Sequence, residues 1–261
     1  MTLNILQLTD FHIFADPYKK FFGIPTYDTL KDVLHKVTDL DIKFDYVIIT
    51  GDLTSDETLV SYENVKEILG EITSNCKIIP GNHDDRNLIR KIFPNCIQND
   101  NEAINFSIST DSWQLFGIDT HVPGELYGNV STETVAWLEN LLEQHKDKPT
   151  ILFQHHPPIH VQTKWVDKLG LKNSDAYIKI IKQNPQIRII SCGHVHQEFS
   201  GKLENISVLT TPSTGLQFKK GTDMLECDPL PPGFRTFSLN HDNWDSKIIR
   251  LDKLKYNPVN N

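Results

Sequence analysis

Short apolar runs and amphipathic stretches alternate along this chain. "LNILQL", "YVIIT", "CKIIP", "TILFQ" and "IRIIS" have strand length and are rich in branched residues. Several are continuous apolar runs rather than alternating ones, the pattern of strands buried on both faces. Helical spacing fills the gaps between them. "YDTLKDVLHKVTDL" puts Leu30, Val33, Leu34, Val37 and Leu40 on one side, and "TVAWLENLLEQH" does the same with Val135, Leu138, Leu141 and Leu142. "LVSYENVKEILGEI", "DRNLIRKIF" and "DAYIKIIKQ" are further predicted helices, while "AINFSI" and "WQLFGI" alternate like paired strands. After residue 200 the chain turns mostly to strands, in "SVLTT", "FRTFSL" and "WDSKIIRL". This order predicts the α/β class: two sheets face to face with helices outside, as one domain over residues 1–261.

Composition narrows the function classes. The 261 residues are 38% hydrophobic and 23% charged, enough for a substantial core and close to the globular norm. A formal net charge of -8 and a pI near 5.7 argue against nonspecific nucleic-acid binding and against a membrane-surface role. A small anionic substrate stays open, because bound metal ions can reverse the local field. No apolar run is long enough to span a bilayer, and the opening "MTLNILQLTDFH" lacks a basic n-region. A cytoplasmic protein is expected. Cys76, Cys96, Cys192 and Cys227 form no CxxC pair and read as free thiols.

Candidate chemistry gathers at the ends of the apolar runs. "ILQLT" leads into Asp10 and His12, "VIIT" into Gly51-Asp52, and "KIIP" into Gly81-Asn82-His83-Asp84. "ILFQ" ends in His155-His156, and "RIISC" in Gly193-His194-Val195-His196. Each block alone reads as a turn or a cap. Turns do not call for six histidines, however, and open α/β sheets bind ligands at the carboxyl ends of their strands. The five blocks are therefore expected to converge on one site. Their donors are nitrogen and oxygen without thiolate, which suits iron, manganese or zinc. They are too many for one structural zinc and contain no EF-hand loop. Two divalent ions sharing a carboxylate fit better, the arrangement that serves in-line phosphoryl displacement.

The five blocks, in this order over residues 10–196, resemble those of the calcineurin-like metallophosphoesterases. Within that family the chain looks most like the bacterial class III 3',5'-cyclic-nucleotide phosphodiesterases acting on cyclic AMP. Softer features carry the second step: "GIPTYDTL", "GDLTSD", "GNHDD", "TPSTGLQF" and "PPGFRTFSL". The resemblance implies a four-layer α/β/β/α sandwich. It implies one metal held by Asp10, His12 and His196, a second held by Asn82, His155 and His194, and Asp52 bridging them. It also implies a small-molecule cyclic nucleotide as partner, no nucleic acid or membrane, and a monomer or homodimer. Water acidified by the ions is expected to attack phosphorus. His83 is expected to contact the phosphate and help protonate the departing ribose 3'-oxygen, with Asn82 and His196 also expected to touch substrate. Asp84 orients His83 or serves as the N-cap of "DRNLIRKIF".

Alternatives and remaining residues complete the reading. Another diester, such as a glycerophosphodiester or a 2',3'-cyclic nucleotide, is the nearest alternative. An inactive scaffold is disfavoured because every expected ligand is present. A serine/threonine phosphatase is disfavoured because its arginine-bearing "GNHE…R" pattern is not matched, although Arg86 follows two aspartates. His155, directly after its strand, is the expected ligand of its pair. His156 precedes Pro157, which biases it to extended backbone, and its ring is expected to point away from His155. His121 lies near another strand end as a candidate pocket residue, and Phe218 reads as a base-stacking ring or as core. Cys192 reads as a buried strand residue, His35 as structural, and His145, His160 and His241 as surface.

Overall fold

The computed structural model describes residues 2–98, 101–172, 174–241 and 243–260. The first part alternates strand and helix: β1 (Leu3–Leu8), α1 (Thr26–Thr38), β2 (Tyr46–Ile49), α2 (Leu59–Leu69), β3 (Cys76–Ile78) and α3 (Arg86–Ile92). Then come β4 (Phe106–Ser109), β5 (Gln114–Ile118), α4 (Thr132–Gln144), β6 (Thr150–Gln154), α5 (Lys164–Asp167), α6 (Asp175–Gln183) and β7 (Ile187–Cys192). The remainder is β8 (Phe199–Leu203), β9 (Ile206–Thr210), β10 (Gln217–Phe218), β11 (Cys227–Asp228), β12 (Gly233–Leu239) and β13 (Trp244–Arg250).

Two mixed sheets result. One has the order β13-β12-β1-β2-β3, with β1, β2 and β3 parallel and β12 and β13 returning antiparallel. The other has the order β4-β5-β6-β7-β9-β8, with antiparallel edges around four parallel strands. A short two-stranded ribbon, β10-β11, lies apart.

The continuous apolar runs explain the layering. Alternate residues of a strand face opposite ways. Leu6, Leu8, Val47, Ile49 and Ile78 pack with Leu30, Val33, Val65 and Ile89 of the first three helices. Their neighbours Ile5 and Ile48 point the other way, into a layer shared with Leu115, Ile151, Phe153 and Ile189 of the second sheet. Leu152 and Ile190 face outward again, onto Leu138, Leu142, Ile180 and Ile181 of α4 and α6. Three apolar layers separate helices, sheet, sheet and helices, the predicted α/β/β/α sandwich. The inter-sheet layer is not wholly apolar. Gln7 of β1 accepts from Ser191 Oγ at 2.6 Å and Thr211 Oγ1 at 2.9 Å, and donates to Thr50 Oγ1 at 3.0 Å.

Three local expectations change. "LVSYENVKEILGEI" is not one helix: α2 ends at Leu69, because Gly70 takes φ +50° and leads into a 3-10 turn. "AINFSI" pairs only from Phe106. The N-cap of α3 is Asp85, whose carboxylate accepts from the Asn87 and Leu88 amides at 2.7 and 2.9 Å, so Asp84 is not the cap. Among the described residues, no helix is long and apolar enough to cross a membrane.

Candidate metal centre

The carboxyl ends of β1, β2, β3, β6 and β7 meet at one edge of the sandwich, and the chain bends sharply there. Asp10, His12, Asp52, His194 and His196 all have left-handed backbone, with φ of 56°, 50°, 53°, 69° and 49°. Non-glycine residues avoid this region, and each costs about 1–3 kcal/mol. The bends answer how His194 and His196, two apart, both reach the same centre. Main-chain bonds hold the blocks together: the Asp10 amide donates to Gly51 O and the His12 amide to Asp52 O, each at 3.0 Å. The second and third blocks touch so closely that side chains are excluded. A Cβ on Gly51, itself at φ +92°, would run into the Gly81 backbone, and one on Gly81 would run into the Asp52 carboxylate.

The buried donors form two groups around Asp52. His12 Nε2 and His155 Nε2 each lie 3.5 Å from Asp52 Oδ2. On the first side, His196 Nε2 is 3.0 Å from His12 Nε2 and 3.4 Å from Asp10 Oδ1. On the second, Asn82 Oδ1 is 3.1 Å from His155 Nε2 and 2.9 Å from His194 Nδ1. Tautomers test whether cations fit. His155 Nδ1 donates to Thr50 O at 2.7 Å, and His196 Nδ1 donates to Leu216 O at 2.8 Å. In the neutral rings each Nε2 therefore turns a lone pair inward, onto acceptors: Asn82 Oδ1 and Asp52 Oδ2 for His155, Asp10 Oδ1 for His196. Acceptors facing acceptors in a buried site call for positive charge, and the nitrogen and oxygen donor set suits divalent metals.

Electrostatics agree. Burial opposes charge on His155, but the Asp52 carboxylate outweighs it and the imidazole is pushed up to about 9, so a proton and a cation compete for the Nε2 atom that faces Asp52. Burial likewise opposes charge on Asp52, yet the fields of His155 and His83 hold its carboxyl well below the usual range. His12 and His194 are pushed well down, chiefly by burial, which keeps them neutral and able to donate lone pairs.

The supporting residues divide as follows. His83 is half-buried; its amide donates to Asp52 Oδ1 at 2.8 Å and its ring stands edge-on to His12 at 5.3 Å. Asp84, fully enclosed, accepts from the Gly81 amide at 2.9 Å, the Leu53 amide at 3.1 Å and Tyr62 OH at 3.0 Å. It splices the second block to the third. Burial, then the Asp52 charge, pushes its carboxyl up to about 7. The His156 ring does not swing away from His155: it packs perpendicular to it at 4.8 Å and lies 4.5 Å from His194. Its Nδ1 pairs with Thr120 Oγ1 at 2.8 Å and its Nε2 with Leu126 O at 3.2 Å, so neither nitrogen is free for a metal. Phe218 is buried and stacked on His196 at 4.4 Å, which answers the choice between base platform and core. Phe21 stacks on His12 at the same separation, 4.4 Å. Cys192 is a buried residue of β7, as expected. His35 is on the exposed side of α1, His160 and His241 are exposed, and His145 is half-buried.

Some contributors escaped sequence reasoning. Asp119, at the end of β5, grips Arg86 with both oxygens at 2.7 and 3.0 Å, and Arg86 also donates to His121 O at 2.8 Å. This fork ties the third block to the loop after β5. Asp119 follows "LFGI" as the other acidic residues follow their strands, and that signal was available. Gln7 left none, because one polar residue in an apolar run does not reveal its partners.

Comparison with known proteins places this geometry. The calcineurin-like phosphoesterase family model matches residues 3–198. A 3',5'-cyclic adenosine monophosphate phosphodiesterase of Vibrio vulnificus is 30% identical over 239 residues, covering 92% of this chain and 86% of that protein. A 3',5'-cyclic-nucleotide phosphodiesterase of Nostoc sp. is 31% identical over 252 residues, covering 96% and 93%. A dimetal phosphatase from Danio rerio superposes with a TM-score of 0.75 over 99% of both chains at 14% identity, a likeness of fold. The chain belongs to the calcineurin-like phosphoesterase family.

Proposed function

We propose that the protein is a dinuclear metal phosphodiesterase that hydrolyses 3',5'-cyclic AMP to the 5'-monophosphate. The observation that carries this reading is Asp52 Oδ2, equidistant at 3.5 Å from the Nε2 atoms of His12 and His155, which belong to the two donor groups. Asp10, His12 and His196 would hold one ion, and Asn82, His155 and His194 the other, with Asp52 shared. When bound, such a pair supplies acidity to water and positive charge to the phosphate. Only Asp10 and Asp52 bring negative charge to this set, so the loaded site keeps a net positive field for a diester anion.

The remaining steps belong to the chain's own side chains. Asn82, His83 and His196 face the phosphate. His83, with its amide on Asp52 and its ring at the edge of the donors, gives a proton to the ribose 3'-oxygen as the P–O3' bond breaks. The water oxygen becomes the new phosphate oxygen, and the product is the 5'-monophosphate. Asp84 holds Gly81 and Leu53 in place and so sets where Asn82 and His83 stand. The cyclic-nucleotide choice is supported by the activities for which both relatives are named and by their coverage of nearly the whole chain.

A substrate panel with purified, manganese-loaded protein tests the reading. It compares 3',5'-cyclic AMP, 3',5'-cyclic GMP, 2',3'-cyclic AMP, a glycerophosphodiester and bis(4-nitrophenyl) phosphate. Turnover of 3',5'-cyclic AMP at the highest kcat/KM is expected. Much faster turnover of 2',3'-cyclic AMP or the glycerophosphodiester would overturn the substrate, and inactivity on every diester would overturn the enzyme class.

A further inference from the structure

The donors open sideways onto a cleft that their chemistry does not use. Asn82 is on its wall, together with Arg86 and His121, in a space of about 510 Å³. Past Arg86 and His121, which line both parts, a second space of about 540 Å³ continues to Asn129 and Trp137. Both volumes suit a small organic ligand.

Two residues lining this cleft each carry an unsatisfied buried polar atom. His121 is only 9% exposed, and its Nδ1 has no hydrogen-bond partner among the described residues. The Asn129 amide oxygen is likewise buried and unpartnered. Buried polar groups are nearly always paired, so such atoms mark places where a partner arrives. Both are firmly held. The main chain of His121 is fixed by Asp119 at 2.9 Å and by Arg86 at 2.8 Å, and the Asn129 amide donates to Thr120 O at 3.0 Å. Their backbones are thus fixed beside the cleft. Beyond them, Trp137 of α4 is half-buried, braced edge-on by Phe116 at 6.3 Å, and lines the same cleft. An indole offers a planar apolar surface, and an amide oxygen beside it offers an acceptor. That pairing matches a planar ring bearing an exocyclic amino group.

We infer that this cleft is the nucleobase subsite of the enzyme. The phosphate sits at Asn82, the sugar passes His121, and an amino-bearing base lies along Trp137 with its amino group toward the Asn129 oxygen. The inference rests on the diesterase reading for the placement of the phosphate. It adds that recognition of the base comes from the second sheet's side of the cleft, through a loop and helix that carry none of the metal donors.

Equilibrium binding to the manganese-loaded protein separates the two ideas, using 5'-AMP and ribose 5-phosphate, in which a hydroxyl replaces the base. The parent is expected to bind 5'-AMP at least about tenfold more tightly. That ratio is expected to fall roughly tenfold in Trp137→Leu, to fall severalfold in Asn129→Leu, and to be largely retained in Trp137→Phe, which keeps a ring. Trp137→Phe and Asn129→Leu also guard against a fold lost in Trp137→Leu. No preference for 5'-AMP in the parent, or a full preference in both Trp137→Leu and Asn129→Leu, would overturn the subsite. A preserved preference for 5'-AMP without hydrolysis of 3',5'-cyclic AMP would overturn the proposed substrate and leave the subsite standing.

Discussion

His83 and Asn82 are neighbours with opposite relations to the metal donors. Asn82 Oδ1 meets both His155 and His194, whereas the His83 side chain stands half-buried at the edge and only its amide is tied to Asp52. Asn82→Ala is therefore expected to lose one of two manganese ions by metal analysis, with catalysis falling as a consequence. His83→Ala is expected to keep both ions and to lower kcat by roughly 10²–10⁴, the usual worth of a positioned proton donor. Loss of metal in His83→Ala would contradict this division. The adjacent histidines are equally unlike. His155 Nε2 faces Asp52 and Asn82, while both nitrogens of His156 are committed to Thr120 and Leu126. Metal analysis is expected to show one ion lost in His155→Ala and two ions kept in His156→Ala.

At the scale of elements, two consecutive aspartates do different jobs at the start of α3. Asp85 caps the helix with bonds to Asn87 and Leu88. Asp85→Ala is expected to cost about 1 kcal/mol of stability in urea unfolding and to leave metal content unchanged. Asp84 instead gathers the Gly81 and Leu53 amides and the Tyr62 hydroxyl in a fully buried spot. Asp84→Ala strands three buried donors, each worth about 1–3 kcal/mol, and displaces the loop carrying Asn82. Urea unfolding is expected to show a loss of several kcal/mol, and metal titration a weakened second site. Equal effects of the two substitutions would show that Asp84 is no splice. The strand-to-loop junctions obey the same logic, since Gly51 and Gly81 let two backbones approach where no side chain fits.

For the molecule as a whole, the donors come from both sheets. The first sheet supplies Asp10, His12, Asp52 and Asn82, and the second supplies His155, His194 and His196. Ions bound between them would cross-link the two halves of the sandwich, beside the apolar layer that already joins them. The five left-handed residues and the inward-facing lone pairs are costs that bound ions would offset. Chelation is therefore expected to lower the Tm, and manganese at 100 times its Kd to restore about 2.7 kcal/mol per independent site. A Tm indifferent to metal would mean that the donors are held by the fold alone.

Much of this architecture was legible in the chain itself. The apolar runs and helical spacings predict the elements, because burial on both faces demands continuous apolar strands and an outer helix demands one apolar side. The five blocks predict one convergent cluster of nitrogen and oxygen groups, because a strand end is where an α/β sheet can present side chains to a ligand. Tertiary structure decided what depends on partners far away in sequence. That Asp84 is a splice and Asp85 the cap turns on where Gly81, Leu53 and Tyr62 arrive. His155 was expected as the ligand of its pair, but the two bonds that occupy the nitrogens of His156, with Thr120 and Leu126, come from loops that only the fold brings near. The Arg86–Asp119 fork, the Gln7 network and the unsatisfied atoms of His121 and Asn129 likewise belong to no local pattern. Hydrophobic periodicity is a local property and survives in one dimension. Hydrogen-bond satisfaction is settled between segments, and only their packing in three dimensions reveals it.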